Sequence, residues 1–150
     1  MHILRKMKEK IFGKTIIVQD SFFGKLVDVG SYYECKKYFK SIAKEVEIGL
    51  EKTIEEKKEE QIKFFQWLEN NYDLIIEKIS PIIENEIIEW FPDYRIKNFK
   101  KEFILEYFFI PKCDSEIFEW QISFWAENEL QHWCTLEMKG LEVKSILIDG

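Results

Sequence analysis

Two histidines and three cysteines are the side chains best suited to nucleophilic, acid–base or metal chemistry in this chain. His132 and Cys134 stand two apart, so in a strand they share a face and could pair an imidazole with a thiolate or begin a metal site. The same face continues with Leu136 and Met138, which is the pattern of packed core residues. His2 lies at the start of the chain, Cys35 and Cys113 stand apart from other ligands, and no compact set of four zinc ligands occurs. Calcium loops of the Asp-x-Asp-x-Asp-Gly kind are absent, as are GxGxxG and Walker phosphate loops. No metal and no cofactor are therefore expected. Carboxylates are abundant, so the enzymatic alternative is a small hydrolase working through carboxylates or through His132 and Cys134. Glu55, Glu56, Glu59 and Glu60, however, read as the solvated face of a helix, with Lys57, Lys58 and Lys63 beside them.

Recognition is the other chemistry on offer. Trp120 and Trp125 differ by an odd number of residues within one strand pattern, so they point to opposite faces, and with Trp133 they cannot all serve one core. Large aromatics that leave a core are anchors for protein partners, and Glu119, Glu127 and Glu129 would give such anchors an acidic rim. The partner-binding candidates are thus Trp120, Trp125, Trp133, Glu119, Glu127 and Glu129.

Composition bounds these options. The chain has 150 residues, 46% of them hydrophobic and 16% aromatic, enough to bury the core of one domain and too apolar for disorder. Its net charge of −6 is divided unevenly: residues 1 to 40 hold nine Lys/Arg against four Asp/Glu, or +5, so the remainder carries −11. Such a body disfavours nucleic acid, whose phosphates are bound by clustered cations, and favours a basic protein partner. An odd number of cysteines without paired spacing suits a reducing compartment, and no signal sequence or membrane-length apolar run is present, so a cytoplasmic location is expected.

The elements that must position these residues follow from periodicity. Ile3, Leu4, Met7 and Ile11 among Arg5, Lys6, Lys8 and Lys10 suggest an opening helix that packs onto its own domain rather than onto an anionic membrane. Thr15 to Val18 and Lys25 to Val29 around Gln19-Asp20-Ser21 predict a hairpin, with Gly13 and Gly24 marking bulges or close backbone approaches. Tyr32 to Phe39 and Glu45 to Glu51 predict two further strands. Thr53-Ile54-Glu55-Glu56 has the form of a capping box and predicts a helix start. Ile62, Phe65, Leu68 and Tyr72 form one helical stripe and Ile75, Ile79, Ile82, Ile83 and Ile87 a second, with Asn70-Asn71 as the break between two antiparallel helices. Pro81 either kinks the second helix or opens a new one capped by Ser80. Lys101 to Ile110, Ile117 to Trp125, Leu130 to Met138 and Leu141 to Ile148 then predict an antiparallel meander. The sum is an α+β domain: N-terminal antiparallel strands, a central two-helix hairpin and a C-terminal β-meander, with the helices on one sheet face.

Several stretches carry a resemblance: Phe12-Gly13, Phe23-Gly24-Lys25-Leu26, Tyr32-Tyr33-Glu34, Tyr38-Phe39, Glu60-Gln61-Ile62-Lys63-Phe64-Phe65, Glu69-Asn70-Asn71-Tyr72 and Ile79-Ser80-Pro81-Ile82-Ile83-Glu84. On these residues the chain resembles small bacterial α+β domains of unknown function, some of them immunity proteins in toxin systems. Cys35 departs from the pattern, standing where a small residue such as glycine is expected after Tyr-x-Glu. The resemblance implies strands, then helices, then strands, and no catalytic residue. It implies a non-enzymatic module that neutralises a toxin by covering its active site. An uncharacterised domain without a catalytic role is the remaining alternative.

Overall fold

A computed structural model of the chain describes residues 15–114, 116–128 and 130–149. The expected opening helix, Gly13 and the candidate Glu129 lie outside the described residues. Among the described residues eight strands form one sheet in chain order: β1 (Ile17–Asp20), β2 (Gly24–Asp28), β3 (Tyr32–Phe39), β4 (Lys44–Glu51), β5 (Phe103–Ile110), β6 (Glu119–Ala126), β7 (His132–Lys139) and β8 (Glu142–Asp149). Neighbours are antiparallel except β4 and β5, which run parallel with Glu47 opposite Tyr107 and Leu50 opposite Ile110. That one pair joins the two antiparallel groups, and parallel neighbours need a long crossover. The crossover contains the helix α1 (Lys58–Ile88).

α1 corrects the two-helix hairpin expected from the sequence. It is one helix of 31 residues, about 46 Å long at the usual rise, and it runs straight through both predicted interruptions. Phe65, Leu68, Tyr72, Ile75, Ile79, Ile83 and Ile87 are all buried, three or four residues apart, so a single apolar stripe spans both proposed helices. Asn71 is accommodated inside, its side-chain amide donating to the Trp67 carbonyl at 2.9 Å, one turn back. Pro81 is exposed and neither ends the helix nor opens another; the cost of its missing amide is outweighed by the stripe that continues past it. The capping box does not form either. A 3-10 turn (Glu55–Lys57) precedes α1, with Ile54 at its cap position and no capping side chain. Gln61 does the anchoring instead: its buried amide donates to the Glu51 carbonyl at 2.8 Å and the Pro111 carbonyl at 3.0 Å, tying the helix to the ends of β4 and β5.

The core lies between α1 and one sheet face. Phe39, Ile48, Phe108, Trp120, Ile122, Phe124, Leu136 and Met138 come up from the strands to meet the helix stripe. Phe39 is ringed by Phe65, Tyr72 and Phe108 at 5.9, 5.2 and 5.1 Å, edge to face. A short helix α2 (Phe99–Glu102), capped by the Asn98 side chain, leads into β5, so the strand expected from Lys101 begins at Phe103. In the β1–β2 turn the Asp20 carboxylate accepts from the amides of Phe22 and Phe23 at 2.9 and 2.8 Å. Gly24 closes that turn at φ +77°, a conformation glycine adopts without strain.

All three cysteines are buried free thiols, and burial pushes each of them up to about 12. The folded chain is accordingly expected to leave Ellman's reagent unreacted at mildly alkaline pH and to release its thiols only on unfolding. Rapid reaction of any thiol in the folded chain would contradict its placement.

Candidate functional site

β6 and β7 alternate strictly, and that alternation builds the sheet face turned away from α1. Trp120, Ile122, Phe124 and Ala126 of β6, with Cys134, Leu136 and Met138 of β7, take the helix side and are buried. Gln121, Ser123 and Trp125 therefore take the other side, opposite Glu137, Thr135 and Trp133 in register. These three cross-strand pairs make a ladder. Gln121 donates to Glu137 at 2.6 Å, the Ser123 and Thr135 hydroxyls lie 2.9 Å apart, and the Trp125 and Trp133 rings meet at 5.1 Å, tilted by 60°. Trp133 remains 41% exposed. Asp149 of β8 stands opposite Trp133 on its far side.

The face continues across β5 and β4 by way of a bulge. Leu105 pairs with Phe124 while Tyr107 pairs with Ser123, so Glu106 is the extra residue. This lets Phe103 and Leu105 before the bulge, and Phe108 and Ile110 after it, all reach the core. It also directs Tyr107 and Phe109 outward. Tyr107 lies over β4 at Gly49, where a Cβ would collide with the phenol oxygen and come within 2.9 Å of the Phe109 ring. Glycine is needed there for that close approach. Among the described residues the Tyr107 hydroxyl is buried without a hydrogen-bond partner, and burial, reinforced by Tyr32, Glu34 and Glu47, raises its pKa and keeps it protonated. A cavity of about 950 Å³ opens over this ground, lined by Glu45, Glu47, Glu106, Tyr107, Trp133 and Asp149 among others.

The five described candidates from the sequence fall in different places. Trp120 is 1% exposed, with its indole N–H donating to the Gly140 carbonyl at 2.8 Å, so it is a core residue with no surface to offer a partner. Trp125 and Trp133 sit together on the outer face. Glu119 is exposed at the far end of β6 and engaged by Lys144 at 2.5 Å, which holds its carboxyl below the usual range. Glu127 is exposed in the β6–β7 turn. Glu106, Tyr107, Glu47 and Asp149 were missed by sequence reasoning. The bulge and the parallel β4–β5 pair bring them beside the tryptophans, and neither leaves a local signal.

His132 and Cys134 do not make a reactive pair. Cys134 is wholly buried beside Leu136, its thiol held protonated, while the His132 ring contacts the Leu130 carbonyl through Nδ1 and lies 6.0 Å from Trp90. Among the described residues, no three His, Cys, Asp or Glu side chains converge as a metal site requires, and no helix is long and apolar enough to cross a membrane.

What the geometry offers is a sheet face carrying paired tryptophans, a buried phenol and carboxylates. No family model matches the chain, and neither the curated proteins nor the solved structures include a match to it.

Proposed function

We propose that this domain is a non-enzymatic protein-binding module, of the immunity type, that acts in the cytoplasm by covering the active site of a basic toxin with its outer sheet face. The observation that carries the reading is the Trp125–Trp133 pair, which stands on the side of the sheet opposite α1 among Glu106, Glu137 and Asp149. Paired tryptophans on a rigid sheet are preorganised anchors, and surrounding carboxylates accelerate encounter with a basic cleft.

The test uses the full chain as bait in its native cell, followed by binding kinetics with the purified partner. A basic protein should be held by the unaltered chain and by a Lys63→Glu control on α1. It should be lost when Trp125 and Trp133 are both replaced by alanine, each anchor being worth about 2 kcal/mol. Glu127→Lys and Asp149→Lys should slow association at low salt and matter little at high salt. Capture that is indifferent to the double tryptophan variant would remove this face from the function.

A further inference from the structure

Glu34 and Tyr107 are only 7% and 8% exposed, although among the described residues no helix or second layer lies over their side of the sheet. They line adjoining cavities of about 390 and 950 Å³ that share Lys36, Glu47 and Tyr107. The lining is acidic: Glu34, Glu45, Glu47, Glu106 and Asp149 against Lys25 and Lys36.

We propose that residues 1–14 of this same chain are the occupant. Their charge is complementary, since Arg5, Lys6, Lys8, Lys10 and Lys14 stand against Glu9 alone. Ile3, Leu4, Met7 and Ile11 offer apolar surface to Ile17, Val27 and Trp133, which line the same cavities. The place where the chain enters the described structure agrees, because Thr15 itself lines the smaller cavity together with Glu47 and Tyr107. Reach is sufficient. Fourteen residues span about 21 Å even when coiled as a helix, and the two strand spacings from β5 to β7 amount to about 10 Å. The segment is thus an internal competitor for a basic partner that would use Trp133. That competitive consequence rests on the proposed function, whereas the docking stands on the geometry alone.

A nitroxide on Met7→Cys in the full chain tests the docking without any partner, since the native thiols are buried. The indole N–H signals of Trp125 and Trp133, assigned by single Trp→Phe variants, should lose most of their intensity while that of Trp67 on α1 is retained. A second label, at His2→Cys, gives an independent reading if Met7 contributes to packing. Changing Lys6, Lys8 and Lys10 to glutamate should restore the signals. Equal broadening of Trp67 and Trp133, or none at either, would overturn the proposal. Broadening found only between labelled and unlabelled chains in a mixture would also overturn it, assigning the face to a second copy. Either failure leaves the proposed partner surface to be judged by its own binding experiment.

Discussion

Replacing Trp120 by alanine is expected to lower the unfolding free energy by about 3–5 kcal/mol, a large share of the 5–15 kcal/mol typical of a domain. The indole is 1% exposed and packs against Phe64 at 5.6 Å and Trp67 at 6.3 Å, both from α1, and against Phe108 at 6.5 Å from β5. Removing it opens a cavity between helix and sheet that close-packed neighbours cannot refill. It also takes away the donor to Gly140, in the turn between β7 and β8. Trp133→Ala, measured in the same urea titration, should cost less than about 1 kcal/mol, because a surface side chain leaves no cavity. Equal losses for the two variants would refute the assignment of these tryptophans to opposite faces.

The second large effect is a coupling between Gly49 and Tyr107. Gly49→Ala should destabilise the fold by about 1–3 kcal/mol, the usual range for overpacking. An alanine would otherwise favour a strand, so a net loss isolates the collision with the Tyr107 phenol and with the Phe109 ring at 2.9 Å. Tyr107→Phe alone should be neutral or slightly stabilising, because the hydroxyl it removes is buried without a partner among the described residues. The double variant should then cost at least about 0.5 kcal/mol less than the sum of the singles, since the atom nearest the new methyl group is gone. Additive effects would show that the phenol does not rest on Gly49.

The strands were the most legible part of the sequence. Tyr32–Phe39 was readable in full from its residues, and the alternation grouped Trp120, Ile122 and Phe124 on one face of β6 without telling which face is core. Legibility failed in the helical third, for a physical reason. Asn70-Asn71, Pro81 and the Thr53 capping pattern are local signals worth a few kcal/mol at most. The seven residues of the buried α1 stripe act against them together, and tertiary burial outweighs local preference. Cys35 shows the same hierarchy: a departure from the resembling pattern, it is a buried thiol in the core.

The sequence by itself determined that the chain is acidic and aromatic, that strands flank a helical centre in an α+β order, and that its tryptophans cannot share one face. Alternation is a property of the backbone pleat and needs no partner strand to be read. Only the tertiary structure decided which tryptophan is core and which is surface, because burial depends on where α1 lies. The aromatic-rich sequence of β5 hides its own bulge, since Phe103-Ile104-Leu105-Glu106-Tyr107-Phe108 shows no change of parity until Phe124 and Ser123 are set beside it. The parallel contact of β4 with β5, which gathers Glu47, Gly49 and Tyr107 into one site, joins residues about 60 positions apart in the chain. Non-local pairing of that kind is chosen by packing across the whole core and leaves no mark on either strand alone.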